Sequence, residues 1–211
     1  MMGILGGTFD PIHYGHLRPA QETMRALGLA ELRLIPSHQP PHRAAPVAAP
    51  AERLQMVRLA CAEFPGFTVD DRELRRPGPS YAADTLDSLR TEIGDRPLCY
   101  LMGADAFRYF ESWHEWERIP DLAHLVVMQR PGTTLPSSSL PEWARLRLTE
   151  QRSDLERAPA GRLWIQSVTP QEISATRVRA AVARHESVQS CLPAAVWEFI
   201  RDQHVYLNAQ N

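Results

Sequence analysis

The chain has 211 residues, a formal charge of −2 and 44% hydrophobic residues; at about 100–200 residues per domain it makes one domain with a sizeable core. The near-neutral balance excludes bulk, sequence-independent nucleic-acid binding, which needs a basic footprint. All 23 basic residues are arginine, which excludes Schiff-base lysine chemistry and a lysine-bearing phosphate loop. The three cysteines, Cys61, Cys99 and Cys191, are too far apart for a CxxC pair, so neither a disulfide framework nor a zinc knuckle is expected and a reducing cytoplasm fits. No apolar run approaches the ~20 residues of a membrane span, and the start lacks a signal-peptide pattern, so a soluble cytoplasmic protein is expected.

In chain order, Met2 to Gly6 is an apolar run ending in glycine, followed by a loop and a helical pattern from Gly15 to Leu27. Glu31 to Pro36 is a second strand. Pro50 and Glu52 suit the first turn of a helix with Leu54, Val57, Cys61 and Phe64 at helical spacing. A third strand runs from Phe67 to Val69, and Ser80 can cap a helix carrying Ala83, Leu86 and Leu89. Leu98–Met102 is a fourth, wholly apolar strand and Leu122–Met128 a fifth, neither showing alternation, as expected when both faces of a sheet are covered. The Pro/Ser/Thr-rich run at 131–141 opens a partly helical excursion, 131–160. A strand at Leu163–Val168 and C-terminal helices within 174–204, at Ser174–Arg184 and Pro193–Gln203, complete the chain. Strands alternating with helices predict a single α/β domain, 1–211, with a doubly wound, mainly parallel, Rossmann-like sheet.

In such sheets ligands sit beyond the carboxyl ends of the strands. After the first strand the chain reads GGTFDPIHYGHL from Gly6 to Leu17. Two glycines allow a phosphate close to the backbone, a helix start offers free N–H groups, and His13 and His16 lie three apart, so both can face one anion. The histidines lack the His-Glu-x-x-His pattern and a third ligand, so no metal site is expected. Near the other end, Ile173-Ser174-Ala175-Thr176-Arg177-Val178-Arg179 follows a strand and opens a helix. Ser174 can cap it, and the arginines can fork onto a phosphate.

These two runs together resemble the paired signatures of the nucleotidyltransferase superfamily with a histidine-x-Gly-histidine loop, and within it bacterial nicotinate mononucleotide adenylyltransferases. The loop Ser37-His38-Gln39-Pro40-Pro41-His42-Arg43, the run Asp70-Asp71-Arg72-Glu73, the segments Gly78–Tyr81 and Asp84–Leu86, Met102–Asp105 with Trp113, and Gln129–Gly132 resemble further family features, spanning residues 3–180. Two positions depart from the pattern. Ala175 stands where the family usually has a second serine, and Arg43 replaces a lysine, exchanging a point donor for a planar fork.

The resemblance implies transfer of the adenylyl group of ATP to nicotinate mononucleotide, giving the deamido dinucleotide and pyrophosphate. It implies His13, His16, Ser174 and Arg179 as the catalytic set. ATP would be held by Gly6, Gly7, Thr8, His13, His16, Gly103, Asp105, Ile173, Ser174, Thr176 and Arg179. The pyridine mononucleotide would meet Thr8, His42, Arg43, Ala82, Thr85, Trp113, His114 and Arg130, with Trp113 stacking on the ring. Magnesium would ride on the ATP oxygens without a firm protein ligand. Trp116 is the better core candidate of the two tryptophans. Other readings stay open: adenylyl transfer to phosphopantetheine or nicotinamide mononucleotide, or a regulator that senses ATP without turning it over. The expected partners are ATP and nicotinate mononucleotide, with neither nucleic acid nor membrane, and a homo-oligomer remains open.

Overall fold

The computed structural model describes residues 1–41, 45–129 and 139–207. In it the strands β1 (Met2–Gly7), β2 (Glu31–Pro36), β3 (Phe67–Val69), β4 (Leu98–Gly103), β5 (His124–Gln129) and β6 (Leu163–Ser167) form one sheet in the order β3-β2-β1-β4-β5-β6. Every pairing is parallel. The longer helices are α1 (Tyr14–Leu27), α2 (Pro50–Cys61), α4 (Ala82–Ile93), α9 (Ala175–Ala183) and α10 (Ala194–Asp202). Short helical pieces are α3 (Arg72–Arg75), α5 (Ala104–Phe107), α6 (Ile119–Leu122), α7 (Glu142–Arg147) and α8 (Arg152–Arg157).

The apolar strands lack polar alternation because both of their faces are buried. Leu5, Cys99, Leu101 and Val126 point into a core shared with α1, α2, α9 and α10. Met2, Ile4, Leu98, Tyr100, Met102, Leu125 and Val127 point into a second core shared with α4, α5, α6 and α7. From β3 the chain returns across the sheet to place β4 beside β1, so the order reverses between these two strands. Their carboxyl ends, Gly7 and Gly103, therefore flank the crevice where such folds bind ligands. No helix among the described residues is long and apolar enough to cross a membrane.

Several boundaries differ from expectation for local reasons. Ser80 does not cap α4: Tyr81 is the capping residue, and the Ser80 hydroxyl accepts instead from the backbone N–H of His38. The fifth strand begins at His124, because Leu122 closes α6 and Ala123 donates its N–H to Ile119. In α2 the buried stripe is Arg53, Met56, Val57 and Ala60, not one running through Leu54 and Cys61. Phe64 lies beyond the helix end. The short α3, α5 and α6 lack the length for a clear helical period.

Candidate active site

The strand β1 ends at Gly6 and Gly7, and the chain then passes through Phe9 and Asp10 to His13, which stands at the N-cap position of α1 in extended conformation. A Cβ on Gly7 would lie 2.9 Å from the Phe9 ring, so glycine lets this loop fold back on its own strand. The His13 carbonyl accepts from the N–H groups of His16 and Leu17 at 2.8 and 3.2 Å. That turn stacks the imidazoles of His13 and His16, with ring centroids 3.8 Å apart and planes 25° apart. Phe9 meets His16 edge-on at 5.3 Å. His13 is only 4% exposed, and burial holds its pKa down at about 4. At neutral pH it is an uncharged imidazole with a single N–H to donate.

Ser174 caps α9 as expected, its hydroxyl accepting from the Arg177 N–H at 3.3 Å. Ala175, which departs from the family pattern, is the first helical residue. The two signatures meet although they are about 160 residues apart in sequence. Arg179 donates from Nη1 to the Asp10 carbonyl at 2.7 Å. A Cβ on Gly15 would lie 3.0 Å from the Ile173 carbonyl and 2.8 Å from His13 Nδ1. Tyr14 N–H donates to the Cys191 carbonyl at 2.9 Å, and Arg18 Nη1 to Gln171 at 3.2 Å. Thr8 is half-buried, whereas Ser174 and Thr176 are exposed at the start of α9.

On the β4 side, Gly103 ends the strand and occupies the N-cap position of α5. Asp105 lies in the first turn of that helix, exposed, and does not cap it. Trp113 is half-buried against Phe110 and Tyr100, at centroid distances of 5.4 and 6.2 Å. Trp116 is also half-buried, so the two tryptophans do not divide into a core and a surface residue. The His114 ring lies over Tyr81 at 4.1 Å. Ala82 opens α4 immediately beside that ring pair. Thr85 is buried one turn on. Its hydroxyl lies 2.8 Å from Glu73 Oε1 and 3.1 Å from the Tyr81 carbonyl, and it accepts from Arg76 Nη2 at 3.1 Å. Thr85 therefore braces the first turn of α4 through groups already satisfied within the protein. His42, Arg43 and Arg130 lie outside the described residues.

Three buried polar residues in or beneath the loop were given no role by the sequence: Asp10, which lies within the motif, Arg53 and Tyr206. Arg53 occupies an inward-facing position, three and four residues before Met56 and Val57. That position was the available signal.

Fold and site define a nucleotidyltransferase. The profile of the Cytidylyltransferase-like family matches residues 4–181. A solved structure with the same fold, Plasmodium falciparum nicotinic acid mononucleotide adenylyltransferase complexed with NaAD, superposes with a TM-score of 0.73 at 14% identity, covering 97% of this chain and 96% of that one. A protein of Aeromonas hydrophila subsp. hydrophila named "Probable nicotinate-nucleotide adenylyltransferase" is 51% identical over 97% of this chain and 96% of its own length. One of the same name from Methylococcus capsulatus is 45% identical over 98% and 99%. The chain belongs to this family of nicotinate-nucleotide adenylyltransferases.

Proposed function

We propose that the protein transfers the adenylyl group of ATP to nicotinate mononucleotide, releasing pyrophosphate and forming the deamido dinucleotide of NAD biosynthesis. The observation that carries this reading is the meeting of the two signatures beyond the carboxyl end of β1, through the 2.7 Å Arg179–Asp10 hydrogen bond and the close passage of Gly15 and Ile173. The nucleophile is the 5′-phosphate of the mononucleotide, already an anion, so no general base is required. Its oxygen attacks the α-phosphorus of ATP in line with the departing pyrophosphate. The protein's contribution is alignment and stabilisation of negative charge.

In this reading the N–H donors of His13 and His16 hold the α- and β-phosphates, while Gly6, Gly7 and Thr8 let the triphosphate approach the backbone. Ser174, Thr176 and Arg179, with the free N–H groups at the start of α9, take the leaving pyrophosphate, and Ile173 lies beside it. Asp105 accepts from a ribose hydroxyl at the end of β4, beside Gly103. The pyridine ring stacks on Trp113, and its carboxylate is received by backbone N–H groups near Ala82 and His114. An amide in that place would set N–H₂ against N–H, leaving donors unpaired. His42, Arg43 and Arg130 are assigned to the mononucleotide phosphate. Among the described residues no cluster of three or more His, Cys, Asp or Glu side chains is placed to hold a metal. The donors gathered here suit phosphate oxygens; magnesium carried on those oxygens would supply charge neutralisation on the departing phosphates.

The deciding assay measures pyrophosphate released from ATP with nicotinate mononucleotide, nicotinamide mononucleotide or phosphopantetheine, or with no acceptor. The expected result is release that depends on an acceptor and is fastest with the acid. Binding of ATP with no release under any condition would favour a sensor and overturn the reading. Replacing His16 by Ala should lower kcat by about 10²–10³, the worth of one well-placed donor to developing charge. Near-normal turnover at saturating ATP would remove His16 from the mechanism.

A further inference from the structure

The phosphate chemistry proposed above leaves unused a set of buried polar groups beneath the loop that carries it. Asp10, Arg53 and Tyr206 are each at most 6% exposed, and burying such groups is costly unless they are paired. They are paired largely with one another and with the active-site loop. Asp10 Oδ1 accepts from the Tyr206 hydroxyl at 2.9 Å and from Ala48 N–H at 3.0 Å, and Oδ2 accepts from Val47 N–H at 2.8 Å. Arg53 donates from Nη1 to the Thr8 carbonyl at 2.7 Å. Among the described residues its Nε and Nη2 have no hydrogen-bond partner; burial lowers the pKa of this guanidinium, and the charge of Asp10 works against that lowering. Arg179 reaches the same place from α9, with Nη1 2.7 Å from the Asp10 carbonyl and 3.7 Å from Asp10 Oδ2.

Tyr206 comes from beyond α10 and sits at φ 71°, a left-handed conformation unusual for a bulky side chain. Its phenol is held among Asp10, Arg53 and Arg179. The first ring of contacts around the catalytic loop is thus closed by a residue near the opposite end of the sequence.

We propose that Tyr206 and Asp10 are positioning residues for adenylyl transfer: the Tyr206 hydroxyl fixes the Asp10 carboxylate, and Asp10 in turn fixes the Arg179 guanidinium. Arg179 presents a planar fork, so its orientation matters as much as its charge. A small displacement of a group that acts in the transition state lowers kcat more than it weakens ground-state binding. The inference rests on the adenylyltransferase reading and assigns Tyr206 no contact with substrate.

The experiment is a double-mutant cycle between Tyr206→Phe and Arg179→Ala in the full-length protein. Steady-state kinetics use ATP and nicotinate mononucleotide, and thermal unfolding is followed in parallel. In the wild-type background Tyr206→Phe should lower kcat about tenfold while KM for ATP changes less than about twofold. In the Arg179→Ala background the same substitution should lower kcat by less than about twofold, because the guanidinium it orients is gone. Wild-type kcat with a lowered Tm would show a structural contact only, and an equal loss in both backgrounds would show that Tyr206 does not act through Arg179. Either result overturns the inference. If Tyr206→Phe fails to fold, Asp10→Asn in the same cycle is decisive, since it keeps the side-chain volume and removes the charge beside Arg179. Undiminished kcat there, or an additive loss, is equally fatal. A wild-type protein inactive with both substrates would instead sink the functional reading, which keeps the two failures distinct.

Discussion

Gly15 stands where the two signatures touch, and what matters there is the space a side chain would take. An added methyl would meet the Ile173 carbonyl at 3.0 Å and the His13 ring at 2.8–2.9 Å. The ring can swing aside, but the carbonyl belongs to backbone leading into α9. Alanine also gains about 1 kcal/mol of helix propensity over glycine in the first turn of α1. Crowding of a packed contact costs about 1–3 kcal/mol. The two effects nearly offset in stability while acting differently on geometry, because the relief of crowding moves His13 or Ser174. Gly15→Ala is therefore expected to fold with a stability within about 2 kcal/mol of wild type and to lose at least about tenfold in kcat. Urea unfolding and steady-state turnover on one preparation check both halves. An active variant would mean that the approach of Gly15 to Ile173 has no bearing on the chemistry.

At the level of elements, α7 ties the excursion to the aromatic cluster behind Trp113. Its Trp143 lies 5.5 Å from Phe110, 6.0 Å from Phe107 and 5.3 Å from Trp116, and its indole N–H donates to Glu111 at 2.7 Å. Phe110 also backs Trp113, the proposed stacking surface. Removing the half-buried indole should cost about 2 kcal/mol, less than a fully buried aromatic, and should raise KM for nicotinate mononucleotide more than KM for ATP. Chemical denaturation and the ratio of the two KM values test this for Trp143→Ala. Equal changes in both would detach α7 from the pyridine site.

The same elements show what sequence reading reached. The six strands were legible because each is a short, apolar-rich run between helical patterns, even where β2 carries Glu31 and Arg33 and β6 ends in Gln166 and Ser167, and the Gly6–Leu17 and Ile173–Arg179 runs were legible because phosphate chemistry restricts residue type. The role of α7 was not, since no local pattern says that Trp143 packs against residues some thirty positions earlier. Arg53 was hidden by the opposite effect: a charged residue on the inward stripe of α2 breaks the apolar period that would have revealed that stripe. Ser80 looked like a cap because serine favours that position, yet its hydroxyl was claimed by the backbone of His38, more than forty residues away. Asp10 lay within the quoted motif, but its partners Val47, Ala48 and Tyr206 come from separate segments.

For the whole molecule, two buried histidines at opposite ends of the sheet link folding to acidity. His13 lies beyond the carboxyl end of β1, whereas His124 opens β5, where its Nδ1 accepts from the Arg162 N–H and its Nε2 donates to the Ala158 carbonyl. That pattern fixes His124 as a neutral ring and joins the start of β5 to the end of the excursion. Burial lowers the pKa of both, His13 from 6.5 to about 4. Above pH 6.5 neither the folded nor the unfolded chain protonates these rings, and stability is at its full value. Below that, the unfolded chain binds protons that the folded chain refuses, so folding weakens as pH falls and levels off only below the folded pKa. Each tenfold difference in proton affinity is worth about 1.4 kcal/mol, so His13 alone removes roughly 3 kcal/mol between pH 6.5 and 4. That is a large fraction of the roughly 5–15 kcal/mol that holds a typical domain together. Urea unfolding at a series of pH values should show stability falling through this window, and His13→Asn should flatten the fall while His124 preserves part of it. If the curves of wild type and His13→Asn ran parallel from pH 7 to 4, His13 would have to take up its proton equally in the folded and unfolded chains. It would then be a neutral donor to phosphate only above its ordinary pKa of 6.5 and a cation below it.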